Sequence, residues 1–341
     1  MQILLISSTS FRTGDVPFLL AAALERKGNR VTILSVDFGL PTMAEIGYRK
    51  GGFDDPVYRA VFQRHARKLA AAIRPDAVLV HGSNWSLEPD TLAFLRFKLG
   101  AQVALWEVNQ LFFRGSQARS MPFYDHVFCL DSYYIPIFRA AELPCVTHLC
   151  AAADPDEHRP LELSDFERQR YRADVSFIGT YHKDRAQMLA ALASVTARVR
   201  VYGRKWEEAG PSVASWVSEE PVYGRKKTMI YSASRFSFHL RGPHMLNGEN
   251  FRVYEVAACG GVPLARAAPD LLRSFEPGSE VLLFKTSDDL CSTVEHYLRQ
   301  PELLSSIATA ARNRVLSEHT YDHRAAVILD HLEDGRHRGQ S

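Results

Sequence analysis

The residues best suited to chemistry lie in one short segment that contains Asn250, Arg252 and Glu255. Asn is a favoured N-cap, so the spacing predicts a helix whose first N–H groups, those of Phe251 and Arg252, face the preceding loop. Free N–H groups at a helix start bind anions, and Arg252 adds a permanent positive charge. Glu255 lies further along the helix, where its carboxylate could accept hydrogen bonds from both hydroxyls of a ribose. The segment therefore predicts a site for a diphosphate joined to a ribose.

The same segment also has a purely structural interpretation. An Asn cap followed by Arg and Glu occurs on many helices that bind nothing. Gly260 and Gly261 could be only the C-terminal cap of the helix before the next strand. The spacing alone leaves both interpretations open.

Residues 246–264, with residues 275–280 and 319–321, resemble the C-terminal region of the CgeB-like glycosyltransferases, relatives of the group 1 glycosyltransferases of the GT-B fold. The resemblance covers roughly residues 175–324 and implies a hexosyltransferase-type enzyme that uses a nucleotide sugar. It also implies that Glu255 binds the donor ribose. The related group often has another Glu eight residues earlier that holds the sugar, but this chain has Asn247 there. The donor sugar and the stereochemical outcome therefore stay open.

Further donor contacts are predicted after strands in the same half of the chain. The turn at Gly179 opens a helix with two cations, which could neutralise a leaving diphosphate without a metal ion. Gly203 could leave room for the base or a phosphate, whereas the basic residues 225–227 are expected on a solvated helix face. No metal or cofactor is predicted beyond the nucleotide-sugar co-substrate. The predicted donor-binding residues are Gly179, Thr180, Lys183, Arg185, Gly203, Arg204, His239, Arg241, Asn247, Asn250, Phe251, Arg252 and Glu255.

Three residues that follow predicted strands in the N-terminal half are candidates for a catalytic base: His81, Glu107 and Asp131. Inversion at the anomeric carbon requires a base within hydrogen-bond reach of the acceptor hydroxyl. If configuration is retained, His81 could instead hold the donor sugar. Each of the three could equally cap its own loop. The loop 7–14 could also contact the acceptor, which could be a glycan, a lipid-linked intermediate, a small metabolite or a protein.

The elements that position these residues predict an α/β, GT-B-like fold with two Rossmann-type parallel-sheet domains facing a central cleft. Apolar runs rich in β-branched residues alternate with segments of helical period, which is typical of parallel sheets covered by helices. Ligands bind at the carboxyl ends of such strands. The predicted domains are an N-terminal acceptor domain over residues 1–152, a linker over 153–172, a C-terminal nucleotide-sugar-binding domain over 173–320, and a helix with a polar tail over 321–341.

Composition excludes several partners. The 41 basic and 39 acidic residues give a net charge of +2, so no nucleic acid partner is expected. The five cysteines form no CxxC pair, which predicts a cytoplasmic protein. The first apolar run is predicted to be a strand and not a signal, and no apolar run reaches the ~20 residues that a membrane span needs.

Other nucleotide-binding classes lack their motifs here. GxGxxG is absent after the first predicted strand, which argues against a nicotinamide-dependent oxidoreductase, and GxxxxGK[ST] is absent as well. Two alternatives stay open: a nucleotide-sugar epimerase of the same fold, and a non-catalytic nucleotide-sugar-binding protein.

Overall fold

The computed structural model describes residues 1–7, 15–35, 56–82, 87–108, 119–141, 143, 145–196, 198–218, 220, 222–242 and 244–338. The chain divides into two compact units. Unit 1 comprises Met1–Cys150, His244–Leu246 and Tyr321–Ser341, and unit 2 comprises Ala151–Pro243 and Asn247–Thr320. Most of the loop predicted to contact the acceptor, residues 8–14, lies outside the described residues.

In the described part of unit 1, six strands form one parallel sheet in the order β2-β1-β3-β4-β5-β6. The central strands are mostly apolar and are buried along nearly their whole length, as is typical of parallel strands covered on both faces. The expected doubly wound sheet is confirmed. The strands are β1 Gln2–Ser7, β2 Arg30–Ser35, β3 Ala77–Gly82, β4 Gln102–Glu107, β5 His126–Cys129 and β6 Val146–His148.

Helices cover this sheet and bury its core. The C-terminal helix Tyr321–Arg338 packs within unit 1 on the helix Val16–Arg26, where Arg26 Nε lies 3.0 Å from Asp322 Oδ1. Arg324 Nε donates to the Cys150 carbonyl at 2.8 Å. In the described part of unit 1, the other α-helices are α1 Val16–Arg26, α2 Pro56–Ile73, α3 Pro89–Ala93, which continues as a π-helical turn over Phe94–Lys98, and α4 Ile135–Ala140.

Unit 2 repeats this architecture. Among its described residues, six parallel strands pair in the order β12-β11-β10-β7-β8-β9. Phe177, Phe236, Phe238 and Phe284 fill the core on one side of the sheet. The strands are β7 Ala173–Ile178, β8 Val199–Tyr202, β9 Val217–Ser218, β10 Ser234–His239, β11 Val262–Arg266 and β12 Leu282–Phe284.

The segment 153–172, expected to be a linker, lies in unit 2 and carries ordered structure. Ala153 bridges to Thr320 as an isolated β-bridge, and helix α5 begins at a capping box formed by Ser164 and Glu167. The α-helices of unit 2 are α5 Asp165–Tyr171, α6 Lys183–Ala191, α7 Pro211–Ala214, α8 Gly224–Ala233, α9 Phe251–Ala258, α10 Leu271–Ser274, α11 Ser287–Leu298 and α12 Pro301–Glu318. Throughout the described chain, no helix is long and apolar enough to cross a bilayer.

Candidate functional site

Helix α9 begins where the sequence predicts. Asn250 is its N-cap, and the side-chain Oδ1 accepts a hydrogen bond of 2.9 Å from the Arg252 N–H. The cap therefore uses one of the two N–H groups that were expected to be available to an anion. That expectation is wrong for the Arg252 N–H, because the side chain of the N-cap residue already accepts its hydrogen bond.

Glu255 is a buried carboxylate that stays ionised. Its Oε1 accepts a 2.8 Å hydrogen bond from Lys227 Nζ, and His158 Nε2 lies 3.6 Å from the same oxygen. Burial alone would raise the pKa of Glu255, but Lys227, then His158, and the more distant Arg252 outweigh burial and lower it to about 2. Glu255 is therefore a charged acceptor at neutral pH.

Lys227 and His158 were missed by the sequence interpretation. The expected solvated face over residues 225–227 is wrong for Lys227, whose side chain is only 16% exposed because it turns toward Glu255. Lys227 precedes the buried residues Thr228, Ile230 and Tyr231 by one, three and four positions, which places it on the inner face of α8. That periodicity was a usable signal.

Arg185 lies at the carboxyl ends of two strands. Its guanidinium donates to the Leu240 carbonyl at 3.0 Å and to the Thr180 carbonyl at 2.8 Å. Burial, and then the positive charge of Arg252, lower the pKa of Arg185 to about 10, so it remains protonated. Two neighbouring guanidinium groups repel each other, and an anion bound beside them would relieve that repulsion.

Gly203 is required by backbone packing. It has φ of +148°, and a Cβ there would lie 1.9 Å from the Gly179 carbonyl oxygen. The adjacent turns are joined by the 2.9 Å hydrogen bond from Tyr181 N–H to the Arg204 carbonyl. The neighbouring turn thus occupies the position of a Cβ at Gly203, whereas the predicted contact of Gly203 with a base or phosphate stays a prediction. Arg204 and Lys183, both exposed, flank these turns.

The loop before α9 contains a second buried carboxylate that the sequence interpretation did not select. Glu249 Oε1 accepts a 2.9 Å hydrogen bond from Asn250 N–H and lies 2.7 Å from His239 Nε2. Arg241 donates to the carbonyls of Arg266 and Ala267, and the Asn247 carbonyl accepts from Asp270 N–H. These contacts fix the loop.

His81 lies inside β3 rather than after it. Its ring packs edge-on against Trp106, with 5.6 Å between centroids, and burial lowers the pKa of His81 to about 4. A base with so low a pKa is almost fully unprotonated at neutral pH but accepts a proton weakly. The environment of His81 favours hydrogen bonding over general-base chemistry.

The other two base candidates, Glu107 and Asp131, lie in different surroundings. Glu107 ends β4, is 7% exposed, and contributes after burial to the raised pKa of Tyr124. Asp131 is fully buried, and its two oxygens accept hydrogen bonds from Tyr133 N–H at 2.9 Å and Leu246 N–H at 2.7 Å. Asp131 therefore matches the loop-capping alternative.

Among the described residues, no group of three or more His, Cys, Asp or Glu side chains could hold a metal ion. On the donor side, the structure brings Arg185 close to Arg252, whose charge lowers the pKa of Arg185, and to Glu249, whose charge raises it. Glu255, one turn further along α9, forms a second cluster with Lys227 of α8 and with His158.

One family model matches part of the chain. Residues 183–330 match the family model described as "Glycosyl transferase-like", so this part of the chain is similar to a glycosyltransferase-like domain. That domain includes Arg185, Lys227 and Glu255, and His158 lies outside it. A search of curated protein sequences finds no match.

Solved structures resemble the whole chain. Sucrose-phosphate synthase from Thermosynechococcus elongatus has a TM-score of 0.71 at 12% identity, with 99% of each chain covered. HepE from Anabaena, in complex with UDP and glucose, has a TM-score of 0.68 at 13% identity, covering 98% of this chain and 100% of that one. A glycosyltransferase from Rickettsia africae has a TM-score of 0.71 at 11% identity, with 98% of both chains covered. The chain therefore has the GT-B fold, with two Rossmann-like units.

Proposed function

We propose that the chain is a glycosyltransferase that takes a sugar from a nucleoside diphosphate donor held by unit 2 and passes it to a hydroxyl or other nucleophile. The observation that carries this proposal is Glu255. It is a buried, ionised carboxylate on the helix whose first turn contains Asn250 and Arg252. A charged acceptor in that place suits the two hydroxyls of a ribose.

The diphosphate has cations to receive it. Arg185 is held by two strand-end carbonyls, and its pKa is lowered in part by the nearby Arg252. A diphosphate beside both would gain charge-assisted hydrogen bonds and relieve their repulsion. Lys183, exposed at the start of α6, would add a third cation. These residues would neutralise the leaving group without a metal ion.

Glu255 could accept further hydrogen bonds from a ribose. Glu255 Oε2 finds no hydrogen-bond partner among the described residues, although it is buried. Buried carboxylate oxygens normally accept hydrogen bonds. HepE, which has the same fold, binds UDP, and this supports a nucleoside diphosphate as the leaving group here.

In the reaction, the bond between the anomeric carbon and the diphosphate oxygen breaks, and the diphosphate leaves with the electron pair. The acceptor oxygen forms the new bond, and its proton passes to a base. Both oxygens of Asp131 already accept hydrogen bonds from the backbone, so we take Glu107 as the better base candidate in unit 1. The neutral ring of His81 suits a hydrogen bond to a sugar. The acceptor is a glycan, a lipid-linked intermediate, a small metabolite or a protein.

We also propose that the chain belongs to the CgeB-like subfamily, uses a hexosyl donor and has a cytoplasmic location. The first rests on residues 246–264 with their Asn247, and the second follows from that resemblance. The third rests on the five cysteines, which form no CxxC pair.

A thermal-shift panel tests the donor site. UDP, GDP, ADP, CDP and their glucose conjugates are added to the purified protein, and at least one is expected to raise Tm. No stabilisation by any of them would overturn the proposal. Product analysis of the best conjugate, with and without sugar acceptors, then separates the alternatives. Transfer supports the proposal, interconversion of the free nucleotide sugar indicates an epimerase, and binding without turnover indicates a non-catalytic protein.

A further inference from the structure

His158 lies outside the glycosyltransferase-like domain, yet it is built into the Glu255 cluster. Its side chain is fully buried in a turn that Asp154 organises by accepting the N–H groups of Asp156 and Glu157. The Glu157 carbonyl in turn accepts a 3.3 Å hydrogen bond from Thr228 on α8. The turn thus fixes the imidazole beside α8 and α9.

The hydrogen bonds of the turn also determine the tautomer of His158. Nδ1 accepts a 3.1 Å hydrogen bond from Asp154 N–H, so a neutral ring must carry its proton on Nε2. Burial is the main cause of a His158 pKa lowered to about 4, which keeps the ring neutral at physiological pH. His158 therefore presents a single N–H donor toward Glu255.

This donor and the carboxylate are incompletely matched. Nε2 lies 3.6 Å from Glu255 Oε1, beyond hydrogen-bond length, and finds no hydrogen-bond partner among the described residues. Glu255 Oε2 and the Tyr231 hydroxyl are likewise buried there without one. These three buried polar atoms lack hydrogen-bond partners, which costs folding free energy unless a bound molecule supplies the missing hydrogen bonds.

We propose that His158 is a specificity-determining residue, which with Glu255 recognises the hydroxyls of the donor ribose. The inference rests on the proposed function. A carboxylate only accepts and the Nε2–H only donates, whereas a hydroxyl does both. A ribose hydroxyl can therefore donate to Glu255 while accepting from His158. A 2′-deoxy or 3′-deoxy sugar leaves one of these buried groups unpaired, so the site discriminates against it.

Calorimetry with matched nucleotides tests this role. The best-binding diphosphate of UDP, GDP, ADP and CDP is compared with its 2′-deoxy and 3′-deoxy analogues. The wild-type protein is expected to bind the ribonucleotide at least about tenfold more tightly than one analogue. His158→Phe keeps the ring volume without the donor and is expected to reduce that ratio to about twofold or less. His158→Gln, which restores an N–H donor, is expected to recover part of it. His296→Phe, at an exposed position of α11, is the control with an unchanged ratio.

The ratio separates recognition from folding. A merely structural His158 would weaken the binding of ribonucleotide and deoxynucleotide equally. The inference is overturned if His158→Phe, shown to be folded by thermal denaturation, keeps the wild-type ratio. Equal binding of all three sugars by the wild-type protein overturns it without any variant. Absence of binding by every ribonucleotide contradicts the proposed function itself, which keeps the two failures distinct.

Discussion

Lys227 Nζ donates a 2.8 Å hydrogen bond to Glu255 Oε1 and joins α8 to α9. The pair has little access to solvent, with side-chain exposures of 16% and 7%. It is the main attractive interaction that keeps Glu255 charged despite burial. The charge state of the proposed ribose acceptor is therefore set by a residue of a different helix.

Lys227→Met should destabilise the protein, because it leaves a buried carboxylate without its counter-charge. Breaking such a pair costs about 3 kcal/mol, whereas an exposed pair contributes about 0.5 kcal/mol. Lys226→Met is the matched control, since Lys226 pairs with Glu220, which is 47% exposed. Urea denaturation of both variants measures the difference. Equal losses in free energy of unfolding would show that the Lys227 pair is no stronger than a surface pair.

Gly203→Ala should be more destabilising than Gly28→Ala. Both glycines have positive φ, but a Cβ at Gly28 meets nothing within 4 Å, whereas one at Gly203 meets the Gly179 carbonyl at 1.9 Å. The backbone term alone costs about 1 kcal/mol, and the clash adds about 1–3 kcal/mol at Gly203. Denaturant midpoints measure both. Similar midpoints for the two variants would contradict the close packing of the two turns.

Asp131→Ala should cost about 2 kcal/mol, because it removes the acceptor for two backbone N–H groups. Asp165→Ala, at an exposed first helical position, is the control and should cost about 0.5 kcal/mol. Thermal denaturation measures stability. Asp131→Asn is then assayed for transfer and should keep most activity. A loss in kcat of about a hundredfold or more would restore Asp131 as the base.

Stability should fall as pH decreases from about 6.5 to about 4. Buried His81 and His158 have folded pKa values near 4, below the ordinary 6.5, so the unfolded chain binds more protons in this window. The free energy of unfolding then decreases by up to about 1.4 kcal/mol per pH unit for each histidine. Urea titrations at several pH values measure the slope, and His158→Gln should reduce it. An unchanged slope in that variant would contradict a buried, neutral His158.

The sequence predicted α9 well because its determinants are local. Asn250 caps its start, and Gly260, with φ of +73°, follows its end. The alternating pattern likewise predicted both sheets, but it missed β6, which is only three residues long, and α4. Short elements of this kind carry too few residues to show a period.

The partners of Glu255 were beyond such reasoning. Lys227 is 28 positions away, and His158 lies in a segment that reads as a linker because it contains Pro155 and Pro160. Only the packing of α8 and of the Asp154 turn against α9 brings these groups together. Glu255 itself was predicted from resemblance and from its place on the helix.

The assignment of Glu255 to the donor ribose is tested most directly by calorimetry of the best-binding nucleoside diphosphate with Glu255→Gln. This change keeps the side-chain shape but removes the charge and one acceptor. We expect the dissociation constant to rise by about tenfold or more, because hydrogen bonds to a charged group contribute about 1.5–3 kcal/mol. Glu295→Gln, at a side chain 56% exposed, should bind as the wild type does. An unchanged affinity in a folded Glu255→Gln would contradict the assignment of Glu255 to the donor ribose.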